Sequence, residues 1–283
     1  MIFNQKRVDN LHNIYYNQHI LIKFFTEIMM NKKIRFLALL LVAVILLVSC
    51  EPGGGISGGG GGASLGGEAN RLTTEDSKIA IFKNGYPDGF WARNDRGNGP
   101  PFNCSFGNSN AVIADGLLTI SLTKNGSGYM GAEYRTMARY SYGFYSVKMK
   151  AAAAPGVISS FFTYTGRPWD EIDIEFLGDD TTKVQFNYYT RGVGNHEYVY
   201  HLGFDAAEDF HEYAFDWQED SITWYVDGKP VYRATKNIPS TAGNIMVNIW
   251  NVADSAAHWA GKFDESCLPV SAQYEWIGYQ GAD

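Results

Sequence analysis

Residues 169 to 178 read Trp-Asp-Glu-Ile-Asp-Ile-Glu-Phe-Leu-Gly, which sets Glu171, Asp173 and Glu175 at every second position with isoleucines between them. In an extended strand that spacing sends all three carboxylates to one face and Ile172, Ile174 and Phe176 to the other. Desolvating like charges side by side is costly, so packing alone does not select the arrangement. Glycoside hydrolysis by two carboxylates does. Residues four apart on a strand are about 13 Å apart at the backbone. Two glutamates leaning together over a shorter aspartate approach the roughly 5–5.5 Å carboxyl separation of retaining glycosidases. One glutamate then attacks the anomeric carbon and the other protonates the leaving oxygen. Their mutual repulsion keeps one of them protonated near neutral pH.

Competing chemistries fit less well. Calcium takes six to eight oxygens, usually from a turning loop, and a straight strand supplies them poorly. His196-Glu197-Tyr198-Val199-Tyr200-His201 is one residue too long for H-E-x-x-H. Gly55-Ile56-Ser57-Gly58-Gly59 matches G-x-S-x-G but lies in glycine-rich sequence, without the strand and helix that motif requires.

The elements that must carry the acids read as strands. Helical periodicity is nearly absent after residue 75, and short alternating runs are separated by Gly, Asn and Asp. Ile222 to Val226, then Asp227-Gly228, then Lys229 to Arg233 is a hairpin signal. Many short strands indicate an all-β sandwich or barrel. Alternation sorts two further runs like the acidic one. Val184, Phe186 and Tyr188 oppose Gln185, Asn187 and Tyr189, and Ile245, Val247 and Ile249 oppose Met246, Asn248 and Trp250. These polar faces hold acids, amides and aromatics but no Lys, Thr or Ser, which is unlike a solvated outer face.

The first 74 residues read differently. Basic residues at 32, 33 and 35 precede thirteen apolar residues from Phe36 to Val48 and then Ser49-Cys50. This is too short for a membrane span and fits a secretory signal. Leu47-Val48-Ser49-Cys50 resembles a bacterial lipobox, implying lipidation at Cys50 and a lipid-anchored, periplasmic or cell-surface protein of the bacterial envelope. Residues 1–28 are expected to lie upstream of the true translation start, 29–49 to be the lipoprotein signal, 50–74 a tether and 75–283 the catalytic domain. Ten of the fifteen residues from 53 to 67 are glycine, a flexible coil with a reach of roughly 20 Å. The net charge of −7 and the lack of a Lys/Arg cluster after the tether argue against a nucleic-acid partner.

With these features in place, Trp169 to Gly178 closely resembles the active-site signature of glycoside hydrolase family sixteen, in particular its bacterial endo-β-1,3-1,4-glucanases (lichenases). The likeness runs from about Phe90 to Tyr279 through "PFNC", "EYRT", "SSFFTYTG", "TTKVQFNYYTRGVGNHE", "WYVDGK" and "NIPSTAGNIMVNIWN". It implies a concanavalin-like jelly-roll sandwich of two curved antiparallel sheets with a concave substrate cleft. It also implies action on mixed-linkage β-glucan by double displacement, with no cofactor needed for catalysis; a monomer is expected, though not from the resemblance. By that resemblance Glu171 is the nucleophile, Glu175 the acid/base and Asp173 the assisting acid. Substrate contacts fall on Asn98, Glu133, Arg135, Phe162, Tyr164, Trp169, Gln185, Asn187, Tyr189, Asn248, Trp250 and Trp259.

Three departures stand out. Arg96 occupies the place of a sugar-stacking tyrosine. Gly131 occupies the place of the family's second cysteine, so Cys104 is expected to keep a free thiol. Glu275 occupies the place of an aspartate at the family's structural calcium site, which puts calcium in question. The alternatives are a xyloglucan endotransglycosylase/hydrolase, which shares E-x-D-x-E, and a non-catalytic glucan-binding module, for which three convergent acids have no use.

Overall fold

The computed structural model describes Leu65 and residues 68–282. The upstream segment, the signal, Cys50 and most of the tether lie outside the described residues. Sixteen strands follow in chain order. They are β1 (Lys78–Ile81), β2 (Phe90–Ala92), β3 (Ser105–Phe106), β4 (Ala111–Ala114), β5 (Leu117–Asn125), β6 (Gly128–Thr136), β7 (Gly143–Lys150) and β8 (Val157–Tyr164). Then come β9 (Glu171–Leu177), β10 (Lys183–Tyr189), β11 (Tyr198–His201), β12 (His211–Trp217), β13 (Ile222–Val226), β14 (Lys229–Ala234), β15 (Asn244–Asn251) and β16 (Val270–Gly281).

Hydrogen bonding arranges them in two layers of a curved jelly roll. The inner layer runs β11-β10-β9-β8-β15-β6, with β2 added beyond β6. The outer layer runs β5-β16-β7-β12-β13-β14, with β4 on β5 and β1 on β16. The β5–β6 hairpin pairs Thr123 to Asn125 with Gly128 to Met130 and joins the layers. The all-β sandwich expected from the alternating runs is the architecture observed.

Period two decides what lies between the layers. Ile172, Ile174 and Phe176 are at most 1% exposed, and Val184, Phe186, Ile245, Val247 and Ile249 are buried with them. They meet outer-layer side chains such as Val147, Tyr213, Phe215, Trp224 and Ile277. Each large apolar side chain so buried contributes roughly 1.5–3 kcal/mol. Two outer-layer side chains reach across this core to backbone of the inner one. The Trp224 indole donates to the Asp173 carbonyl at 3.2 Å, and the Tyr274 hydroxyl donates to that of Ser160 at 3.1 Å.

Cys104 and Cys267 are both free, and Cys104 is buried. A Cβ on Gly131 would sit 3.1 Å from the Cys104 sulfur but only 2.2 Å from the Ile249 carbonyl oxygen. Strand β15 thus occupies the space a second cysteine would need. Burial pushes the Cys104 thiol up to about 11. Glu275 is ion-paired with Lys148 at 3.1 Å, and no group of three or more metal-ligating side chains gathers among the described residues. An ammonium beside the one carboxylate does not fit a calcium ion at that position.

The ordered domain starts earlier than composition places it. Residues 68–74, assigned to the tether, contain no glycine and lie across the outer layer. Glu68 pairs with Arg233, Arg71 with Asp216 at 2.9 Å, and the Thr73 hydroxyl donates to Glu212 at 2.7 Å. The Arg71 guanidinium also stands 4.0 Å over the Phe144 ring. A soluble domain beginning at residue 75 should therefore melt below one beginning at residue 68. Losing these part-exposed contacts costs about 2 kcal/mol, or roughly 4–8 °C in a domain this size. Activity at 25 °C should be unaffected. Calorimetry on the two fragments is the check, and equal melting would mean the segment adds nothing to the fold.

Candidate active site

The inner layer's register lines the acids up with partners from distant parts of the chain. Glu175 stands between Gln185 on β10 and Ser160 on β8, and Ser160 in turn faces Asn248, which faces Glu133. Asp173 stands between Asn187 and Phe162, and the row continues through Met246 and Arg135 to Trp91. Glu171 stands between Tyr189 and Tyr164. These rows cross the strands and floor a cleft of about 470 Å³.

That cleft is lined by Glu171, Asp173, Glu175, Asn98, Glu133, Arg135, Phe162, Tyr164, Trp169, Asn248 and Trp250, all named from sequence. It is also lined by Arg93, Pro100, Pro101, Phe102, Ser160 and Met246. Ser160 shares the alternation of Phe162 and Tyr164, so period two was the available signal for it. The segment from Arg93 to Phe102 is mostly loop and carries no period. Gln185 and Trp259 line an adjoining hollow of about 210 Å³ instead. Trp259 is 6.1 Å from Trp250 between ring centres, yet its indole donates to Gln185 at 3.2 Å. Arg96 is exposed and lies outside the cleft lining.

Each acid is held differently. The Trp169 indole donates to Glu171, and its ring stacks on Tyr189 at 4.6 Å. Gln185 donates to Glu175 at 3.0 Å, completing a Trp259–Gln185–Glu175 relay of hydrogen bonds. Asp173, 4% exposed, lies deepest. Burial drives all three carboxyls upward from the usual carboxylate range. Glu175 adds repulsion on Glu171, both glutamates add it on Asp173, and Glu197 adds it on Glu175. The Trp169 and Gln185 hydrogen bonds pull Glu171 and Glu175 partly back. Groups that resist ionisation and sit in one cleft are suited to giving and taking protons near neutrality.

Asp170, which no motif or period singles out, fixes the approach to this strand. Its carboxylate accepts backbone N–H bonds from Arg191 at 2.7 Å, Ser240 at 3.1 Å and Thr241 at 3.0 Å. Burial would raise its pKa, but these donors hold it below the ordinary value. Three loops are thereby clamped beside Trp169 and Glu171. Farther along, Glu133 is 3% exposed and takes Arg93 at 3.1 Å on one oxygen. Its other oxygen, 3.6 Å from Arg135, accepts no hydrogen bond within the protein. An acceptor buried in that condition suits a ligand hydroxyl.

A concave β-sheet face bearing paired carboxylates among aromatic and amide side chains defines a carbohydrate-active cleft. Residues 98–278 match the model of Glycosyl hydrolases family 16, and the chain belongs to that family. It is 48% identical over 208 residues to a beta-glucanase of Acetivibrio thermocellus, covering 71% of this chain and 61% of the relative. It is 49% identical over 203 residues to a beta-glucanase of Bacillus subtilis, covering 69% and 83%. The chain thus spans about three fifths of the Acetivibrio relative's length. Among solved structures it is similar to a prokaryotic beta-1,3-1,4-glucanase (lichenase) from a mouse hindgut metagenome. That pair shares 49% identity and a TM-score of 0.69, covering 72% of this chain and 98% of the other. The Bacillus licheniformis beta-glucanase structure matches at 47% identity and the same TM-score, covering 71% and 97%.

The raised carboxyl values carry a stability consequence whose sign is fixed. An acid whose folded pKa lies above its unfolded value holds its proton in the fold after the unfolded chain has released it. Stability is therefore lost as pH rises from about 4. Asp173→Asn removes that loss. It should melt at least about 2–4 °C higher than the parent at pH 7, a gain of about 1 kcal/mol or more. The difference should vanish near pH 4. Calorimetry across that range is the check, and a variant no more stable at pH 7 would contradict the burial argument.

Proposed function

We propose that the chain is a retaining endo-β-1,3-1,4-glucanase, cutting β-1,4 bonds next to β-1,3 bonds in mixed-linkage β-glucans such as lichenan and barley β-glucan. The observation that carries this reading is the convergence of Glu171, Asp173 and Glu175 on one buried strand face at the floor of an aromatic, amide-lined cleft. Similarity to proteins named beta-glucanase and lichenase supports the substrate class.

In the first displacement the ionised Glu171 attacks the anomeric carbon and forms an ester bond. The bond from that carbon to the leaving glucosyl oxygen breaks, and Glu175 gives its proton to that oxygen. In the second, Glu175 takes a proton from water, whose oxygen attacks the same carbon and releases Glu171. Asp173 lies between them, and its hydrogen bond to Glu171 favours the ionised form of that nucleophile. Trp169 orients Glu171, and the Trp259–Gln185 relay orients Glu175. Glu133, Arg135, Asn98 and Asn248 offer hydrogen bonds to sugar hydroxyls, while Phe162, Tyr164 and Trp250 offer faces to the rings. Asn187 and Tyr189, named from sequence as substrate contacts, line neither hollow; they stand across the strand pair from Asp173 and Glu171, with Tyr189 stacked on Trp169.

We also propose that Cys50 is lipidated and holds the enzyme to the bacterial envelope through the glycine-rich segment. Cys50→Ala should shift the protein out of the membrane fraction or leave it unprocessed, and unchanged fractionation with normal processing would refute the anchor.

Glu171→Ala should lose more than 99% of activity, by roughly 3 kcal/mol or more of barrier, while remaining folded. Added azide should restore turnover and yield a glycosyl azide of inverted configuration. Activity above a few per cent without azide would remove the nucleophile assignment. On substrates, product mapping should show cleavage of lichenan and barley β-glucan at β-1,4 bonds following a 3-linked unit. Carboxymethylcellulose, lacking the β-1,3 bend, and laminarin, lacking the β-1,4 bond, should be poor substrates. Preference for laminarin or xyloglucan would overturn the linkage assignment and favour the transglycosylase alternative in the second case.

A further inference from the structure

The central row of the inner layer does not stop at the cleft. From Asp173 it runs through Phe162, Met246 and Arg135 to Trp91 on β2, four inter-strand steps or about 19 Å. Arg135 lines the cleft, and its guanidinium lies 4.2 Å over the Trp91 ring. Trp91 in turn lines a second groove of about 430 Å³ along the outer edge of the layer. The two hollows thus share one stacked pair as their dividing wall.

The chemistry of this groove is consistent along its length. Tyr86, Pro87, Phe90 and Trp91 supply apolar faces, and Asn108 and Ser109 supply hydrogen-bonding groups. No lining side chain is charged. Tyr86 is 72% exposed and shares this lining with Phe90 and Trp91, so the rings form one patch. Phe90 is anchored from the core side by stacking on Tyr134 at 5.5 Å. Flat rings with a polar, uncharged rim suit the faces and hydroxyls of a neutral polysaccharide. They do not suit an anionic one.

We propose that this groove is an auxiliary binding site for the same neutral glucan chain, gripping sugar units beyond those held in the cleft. The proposal rests on the glucanase reading of the cleft. A polymer crossing the inner layer from Asp173 over Arg135 reaches Trp91 and then Tyr86. A short oligosaccharide held around the carboxylates does not. Binding so far from the reacting bond holds ground state and transition state equally, so it alters KM and leaves kcat alone.

The test uses the full chain carrying Tyr86→Ala, a surface change remote from the carboxylates, with two readouts. Kinetics are compared on barley β-glucan polymer and on a short chromogenic mixed-linkage oligosaccharide. Mobility is compared in native gels with and without embedded lichenan. The variant should raise KM for the polymer about five- to tenfold, the loss expected for one aromatic platform. It should keep the parent kcat, leave the short substrate unaffected, and migrate faster than the parent through lichenan. An unchanged polymer KM, or an equal rise on the short substrate, would overturn the groove. Should the parent cut no β-glucan, the glucanase reading fails, and the gel alone decides the groove. Lost retardation in the variant then supports it, and equal retardation rejects it.

Discussion

Everything at this site depends on one strand having to satisfy two incompatible solvents. On β9 the side chains of Ile172, Ile174 and Phe176 belong to the core, and strict alternation leaves Glu171, Asp173 and Glu175 no other place than the opposite face. That face is roofed by aromatic neighbours, so the carboxyls are desolvated and crowd one another. Burying the apolar half stabilises the strand by several kcal/mol, which offsets the cost of the acidic half. A single-residue slip would exchange the two faces and lose both the core and the site.

Holding the register is therefore the task of the surrounding structure. Antiparallel pairing on both sides of β9 places Gln185, Asn187 and Tyr189 on one flank and Ser160, Phe162 and Tyr164 on the other. Asp170 clamps the loops at the start of the strand through three backbone N–H groups. From behind, Trp224 and Tyr274 tie the backbone of β9 and β8 to the outer layer. Hydrogen bonds in a water-poor interior are stronger and more directional than those at the surface, so these few contacts fix the acids' backbone closely.

The same economy appears in the cysteine and calcium positions. Where relatives of this kind are expected to carry a disulfide, Gly131 lets β15 pack against β6 at a distance no side chain tolerates. Close packing replaces a covalent tie. At the position where Glu275 replaces an aspartate, its carboxylate pairs with Lys148. Residues 68–74 add a belt across the outer layer, away from the cleft, so stability and chemistry are served by opposite faces.

Much of this was legible in one dimension. Period two placed the acids together, separated the core faces of β9, β10 and β15 from their opposite faces, and called for an all-β sandwich, because a strand's geometry is local and repeats every two residues. Resemblance extended that reading to Glu133, Arg135 and Trp169. What remained hidden is what depends on pairing between distant segments. Arg93, Pro100 and Phe102 enter the cleft from a segment with no period, and Asp170 acts through loops 21 to 71 residues away. The Trp259 indole turns to Gln185, and residues 68–74 leave the tether because partners wait for them on the outer layer. The sequence by itself determined which side chains share a face, since alternation is a property of the backbone. Only the tertiary structure decided which faces meet, since that is set by register, loop closure and burial summed over the whole chain.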